Sequence, residues 1–240
     1  VTHLKVRRIT QFPYTGYCML AFLVLGLTVL VIDAFLPDIK HRRRVARVFA
    51  RAFLRVIGVP LSVEGRQLLP STPCVVVANH ASYIDGIIAV AALPADFAFV
   101  IKKEMVKVPL AGFLLRRLGS EFVERFDRHK GATDARRVLR LAATGQSLVF
   151  FPEGTFDHIP RIGKFLAGAF TIAARSSMPI VAVAIHGTRD MFPPGGAFFH
   201  RVPIRFQILE VMPPDGARER SRRLIAAAVG DPLEPPGQAA

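Results

Sequence analysis

From Leu61 onward, short apolar runs alternate with stretches patterned for helices, and this alternation limits the fold more than any other feature. Strands are predicted at Leu61–Val63, Cys74–Ala78, Phe97–Ile101, Glu121–Val123, Leu148–Phe151, Ile180–Ile185 and Ile204–Leu209. Helices are predicted at Ile87–Leu93, Leu110–Leu118, Asp134–Ala143, Ala167–Ser176 and Arg218–Val229. The third of these places Ala135, Val138, Leu139 and Ala142 at helical spacing before Gly145, and the first stops at Leu93-Pro94. Strand and helix in alternation give an α/β fold with a mainly parallel sheet flanked by helices. Ligands of such sheets sit outside the carboxyl ends of the strands.

One such strand end carries chemistry. Asn79, His80, Ala81, Ser82, Tyr83, Ile84 and Asp85 come directly after Cys74–Ala78. An imidazole accepts a proton near neutral pH, and a carboxylate can hold its tautomer and stabilise the imidazolium. Positions five apart on a regular helix diverge by about 140°, so His80 and Asp85 meet only if the chain turns before a helix begins. Asp85-Gly86 ahead of Ile87–Leu93 is a suitable turn and helix start. Taken alone, the pair reads more simply as a capping aspartate beside an unrelated histidine.

Three further blocks change that reading. Lys102-Lys103-Glu104-Met105 and Pro109-Leu110-Ala111-Gly112 precede Gly119-Ser120-Glu121-Phe122-Val123-Glu124-Arg125. Phe151-Pro152-Glu153-Gly154-Thr155 comes next, and then Met178-Pro179 with the run to Ile185. In this order the blocks resemble the glycerolipid acyltransferases of the lysophosphatidic acid acyltransferase type, from about Val59 to Glu210. The resemblance implies acyl transfer from a thioester, acyl-CoA or acyl carrier protein, to the hydroxyl of 1-acylglycerol-3-phosphate, giving phosphatidic acid. No cofactor beyond the donor is implied.

Acyl transfer needs a base for the hydroxyl proton and donors for a tetrahedral oxyanion. His80 is the expected base and Asp85 its orienter. There is no Gly-x-Ser-x-Gly elbow, and neither Cys18 nor Cys74 has a histidine near it in sequence, so direct attack by the acceptor hydroxyl is expected. Backbone N–H groups near Asn79 or Gly154 are candidates for the oxyanion. The resemblance assigns Arg125, Glu153 and Gly154 to the acceptor, with Arg125 suited to bidentate phosphate contacts and Lys103 to a point charge. Asn79, Gly119, Phe122 and Thr155 complete the expected substrate contacts, although Gly119 and Phe122 are equally open to a structural role. Arg125 could instead pair with Glu121, Glu124 or Asp127, and Glu153 could cap a turn. His158 and His186 are weaker candidates, and no cluster with metal-ligand spacing occurs.

The match is incomplete. Phe156 comes after Glu-Gly-Thr where phosphate-acceptor members carry Arg or Ser, which admits a neutral or zwitterionic lyso-lipid such as a lyso-ornithine lipid. Ala182 replaces a second proline in the fourth block, and Glu124 replaces an aspartate while keeping its charge.

The amino-terminal region predicts a membrane. Gly16–Ile32 is an apolar run of seventeen residues, about 26 Å as a helix. Lys5, Arg7 and Arg8 precede it as in a signal peptide, but there is no small-residue cleavage site after it, which favours an anchor. If the run spans, Asp33 lies near the headgroups. Arg43, Arg47, Arg51 and Arg55 fall four apart, opposite Val45, Val48, Phe49, Ala52, Phe53, Val56 and Ile57. That pattern predicts a basic amphipathic helix lying on anionic lipid. The excess of Lys and Arg after the anchor places the catalytic domain on the cytoplasmic side, of a bacterial inner membrane. The expected organisation is an anchor and basic helix over residues 1–57, an acyltransferase domain over 58–230 and a disordered Pro-rich tail over 231–240.

Two other classes compete. The net charge of +14 alone would suit a nucleic-acid-binding protein. The densest basic cluster, however, shares its helix with an apolar stripe, so nucleic acid is not an expected partner. A lipid-binding scaffold without catalysis is the other, and the intact His80 and Asp85 argue against it.

Overall fold

A computed structural model describes residues 2–124 and 128–234. Seven strands form one sheet: β1 (Leu61–Glu64), β2 (Val75–Ala78), β3 (Phe97–Lys102), β4 (Glu121–Val123), β5 (Ser147–Phe150), β6 (Ile180–His186) and β7 (Ile204–Met212). Their spatial order is β1-β7-β6-β2-β5-β3-β4. All neighbours pair in parallel except β6 with β7, which run antiparallel through a register shift at Ala182/Val183. Every predicted strand is present.

The helices are α1 (Thr2–Phe35), α2 (Ile39–Val56), α3 (Asp85–Ala92), α4 (Ala111–Arg117), α5 (Arg128–Ala143), α6 (Gly168–Arg175), α7 (Thr188–Met191) and α8 (Ala217–Val229). Helix α5 begins six residues before the predicted Asp134, and the single turn α7 was not anticipated. The pleat sorts the central strands between two cores. Val76 and Ala78 of β2 pack with Phe53 and Leu54 of α2 and Ile88 of α3. Val75 and Val77 pack with Val138 of α5, Ile172 of α6 and Ile225 of α8. Both faces of β2 are covered, which is why its sequence is a continuous apolar run rather than an alternating one.

Helix α1 is longer than the apolar run and contains Pro13. Its segment Gln11–Phe35, of 25 residues, is long and apolar enough to cross a membrane. It is also attached to the rest of the protein along its length. Thr15 Oγ1 accepts from the Phe199 N–H, and the hydroxyls of Tyr14 and Tyr17 donate to the carbonyls of Ile57 and Val56. Phe22 meets the edge of Phe53, and Asp33 pairs with Arg117 at 3.3 Å. Asp33 is fully buried, with Arg117 and Arg42 neutralising it at the α1–α2 elbow. Cys18 and Val29 face inward, while Phe12, Leu20, Leu23, Leu27 and Val31 stay exposed.

The basic face expected on α2 does not lie outward. Arg43 is buried, and its Nε donates to the Leu118 carbonyl at the end of α4. The Nε of Arg51 donates to the Ala91 carbonyl in the last turn of α3. These carbonyls have no partner within their own helices, and a guanidinium satisfies them at the negative end of each helix dipole. Val48 and Val56, on the apolar side opposite the arginines, are exposed. The predicted tail is also partly fastened: Leu233 bridges Ile162, and Glu234 pairs with Arg161 at 3.3 Å. Residues 235–240 lie outside the described residues.

Candidate active site

The β2 strand ends at Ala78, and the chain turns through Ser82 before α3 starts at Asp85. The turn is closed by the Asp85 N–H donating to the Ser82 carbonyl, 3.2 Å. This bend is what lets residues five apart meet. Asp85 is fully buried, and its Oδ2 lies 2.8 Å from His80 Nδ1. The same oxygen accepts the N–H groups of Ala81 at 2.7 Å and Ser82 at 2.8 Å. The aspartate therefore does cap, as the simpler reading of the motif has it, and it orients the histidine as well.

The imidazole is fixed in plane by aromatic rings. Phe151 stacks on it at 4.6 Å with 26° between planes, and Phe156 meets it edge-on at 4.4 Å. Tyr83 packs in turn on Phe156 at 4.8 Å. With Nδ1 engaged by a carboxylate, Nε2 is the nitrogen left to accept a proton. Sequence reasoning missed Phe151 and Tyr83. Their only signal was an aromatic residue within each motif.

Glu153 lies just past β5 and reaches across to the loop after β2. Its Oε1 accepts the backbone N–H of His80, and its Oε2 that of Gly163, both at 2.7 Å. Burial pushes its pKa up to about 7, against the pull of those two hydrogen bonds. Each Glu153 carboxylate oxygen thus holds one backbone donor, which gives this side chain a positioning role on the His80 loop. Asn79 is engaged likewise. Its amide donates to the Ile185 carbonyl at 3.0 Å and accepts the Ile185 N–H at 2.8 Å, tying β2 to β6 from a buried position.

Other expected contacts divide by location. Gly154 adopts φ 79, and its N–H donates to the Phe151 carbonyl, so it closes a turn rather than waiting for an oxyanion. Gly119, at φ 69, is a packing residue: a Cβ there would come within 2.3 Å of Ile39 on α2. Phe122 sits in β4 beside Ile101, partly buried, and its carbonyl accepts from Arg137. Lys103 is exposed just past β3, and Thr155 is exposed beside Gly154. Arg125 lies outside the described residues. Glu121, one of its expected partners, pairs with Arg137. His186 ends β6 with Nδ1 3.3 Å from an Arg205 nitrogen, and His158 lines a separate cavity. Among the described residues, no three His, Cys, Asp or Glu side chains stand close enough to hold a metal ion.

The acyltransferase family model matches residues 60–186, more than half of the chain. The chain belongs to the acyltransferase family. It is 32% identical over 161 residues to a chloroplastic 1-acyl-sn-glycerol-3-phosphate acyltransferase of Brassica napus, covering 65% of this chain and 46% of that protein. It is 33% identical over 142 residues to a lyso-ornithine lipid O-acyltransferase of Rhizobium meliloti, covering 59% and 47%. The chain thus spans about half the length of these relatives. The crystal structure of the 1-acyl-sn-glycerophosphate acyltransferase PlsC from Thermotoga maritima has the same fold, with a TM-score of 0.79 over 93% of this chain and 96% of that one, at 23% identity.

Proposed function

We propose that this acyltransferase moves a fatty acyl group from acyl-CoA or acyl carrier protein to the free hydroxyl of 1-acylglycerol-3-phosphate, giving phosphatidic acid. The observation that carries the reading is the 2.8 Å contact between His80 Nδ1 and the buried Asp85 carboxylate. In this mechanism Nε2 of His80 takes the acceptor's hydroxyl proton as its oxygen attacks the thioester carbonyl. The tetrahedral oxyanion then collapses, the C–S bond breaks, and the thiolate leaves with the proton from the imidazolium. Asp85 keeps the imidazole in the required tautomer and stabilises its charged form. Glu153 and the two phenylalanines hold the ring in place; Arg125, Lys103 and Thr155 are assigned to the acceptor by the family resemblance alone. The proposed steps call on no group beyond the two substrates and these side chains.

The same reading has α1 lying in the membrane interface rather than crossing it, with the catalytic domain on the cytoplasmic side. Its support is the attachment of α1 to the domain at points from Thr15 to Asp33, while most of its apolar side chains stay exposed for contact with lipid. The division into an anchor over 1–57 and a catalytic unit over 58–230 is retained as part of this proposal.

A second acceptor is favoured by one feature. Phe156 packs on His80 where a cation would greet a phosphate, and the absence of that charge suits a lyso-lipid with a neutral or zwitterionic headgroup, as in lyso-ornithine lipid. Purified protein given labelled acyl donor with a panel of lyso-lipids separates the two. Preferential labelling of 1-acylglycerol-3-phosphate supports the first, of lyso-ornithine lipid the second, and labelling of neither refutes both.

A further inference from the structure

Beside the His80 loop lies a cavity of about 700 Å³ that none of the family motifs describes. Its walls include Tyr14 of α1, His158, Arg189 and Asp190 of α7, and His200 and Arg201 of the loop before β7. This volume is in the range of small-molecule sites. Two guanidiniums and two imidazoles face one carboxylate, so the concavity favours anions. Arg201 has no ion pair among the described residues; its Nε donates to the Gly58 carbonyl at 2.6 Å, which aims the group without neutralising it. Arg189 is similarly held by the Asp157 carbonyl at 2.9 Å, and its nearest described carboxylate, Asp231, is 4.0 Å away.

The cavity is lined by segments that adjoin residues in contact with the catalytic loop. His158 stands two residues after Phe156, whose ring touches His80. On the other side, the Ser82 hydroxyl donates to the Phe192 carbonyl at 2.6 Å, and Pro193 and Pro194 continue from there into the lining. We infer that this cavity is a phosphate-binding subsite, with Arg189 and Arg201 as its principal contacts and His158 and His200 beside them. The inference rests on the proposed acyl transfer, in which both substrates carry phosphates: the donor on its pantetheine carrier, the acceptor on its headgroup. Paired guanidiniums suit such oxygens better than point charges do.

The test uses the full chain carrying His80→Ala, so that binding is read without turnover. Calorimetry measures coenzyme A in one arm and vesicles containing 1-acylglycerol-3-phosphate in the other, with and without Arg189→Gln and Arg201→Gln together. Affinity in one arm is expected to fall about ten- to a hundredfold. Loss for coenzyme A assigns the site to the donor, and loss for the vesicles assigns it to the acceptor. Unchanged affinity in both arms, with an unchanged melting transition, overturns the inference. Should the double variant not fold, Arg201→Gln alone is measured by the same criteria. In the chain with His80 intact, the double variant should raise one KM with kcat within about threefold. Weakened coenzyme A binding without acyl transfer to any lyso-lipid would leave the subsite standing and remove the proposed reaction; transfer with unaltered binding would do the reverse.

Discussion

Two histidines occupy comparable positions at the carboxyl ends of neighbouring strands, and their surroundings are opposite. His80, just past β2, has its Nδ1 against the Asp85 carboxylate. His186, closing β6, has its Nδ1 against the Arg205 guanidinium, and burial together with that cation pushes its pKa down. Strand position alone therefore does not make a base. A proton arriving at His80 meets a negative partner, whereas one arriving at His186 meets a positive one. The difference comes from the chain around each strand end: a turn into a helix begun by an aspartate in one case, an antiparallel neighbour carrying an arginine in the other.

The strongest attempt to break this contrast is paired substitution. His80→Ala should lower turnover by about a thousandfold, within the usual worth of a general base, while His186→Ala should leave it within about threefold. Equal losses measured by labelled acyl transfer would erase the distinction. Asp85→Asn comes next. An amide oxygen in the place of Oδ2 can keep accepting from Ala81, Ser82 and the imidazole but carries no negative charge to stabilise the imidazolium, so turnover should drop about a hundredfold or more with the fold retained. Circular dichroism alongside the rate separates loss of chemistry from loss of the loop.

Much of this was legible in the sequence, and the exceptions have a common cause. Strands β2 and β6 announce themselves because a strand covered on both faces must be continuously apolar, whereas β1 and β7 alternate. His80 and Asp85 are legible through the company of the other motifs, and the turn that joins them lies between Ser82 and Asp85, just ahead of the expected Asp85-Gly86. The α2 arginines misled because periodicity sorts residues onto faces without saying what each face meets. Carbonyl ends of α3 and α4, supplied from distant parts of the chain, drew Arg51 and Arg43 inward. The hydrogen bonds of Asn79 and Glu153 were hidden for a related reason. Their partners, Ile185, Gly163 and the His80 backbone, lie across the sheet or in loops, and a motif does not reveal what its polar groups hold.

Glu153 sharpens the comparison at the level of stability. It fastens the loop bearing His80 by two backbone hydrogen bonds, so Glu153→Gln, which loses one acceptor, should cost about 1–3 kcal/mol in denaturant unfolding. The folded protein holds the Glu153 proton up to about pH 7, above the ordinary 4.5 of a free glutamate. Stability from this group is therefore complete below about 4.5 and is lost as pH rises through 7. The glutamine variant should show a flatter profile across that window. The smallest effect concerns His186. Its NMR titration should lie below the ordinary 6.5 of histidine, and Arg205→Met should move it upward by a fraction of a unit without altering turnover.

The lengthwise seating of α1 bears on how this protein can be handled. Cys18 belongs to the interior shared by β2, α2 and α3, and Phe22 covers Phe53. Cutting the chain after Phe35 to obtain a detergent-free catalytic fragment would strip those surfaces bare. Such a fragment should aggregate, since the hydrophobic amino-terminal segment is part of the wall of the building as well as its mooring rope.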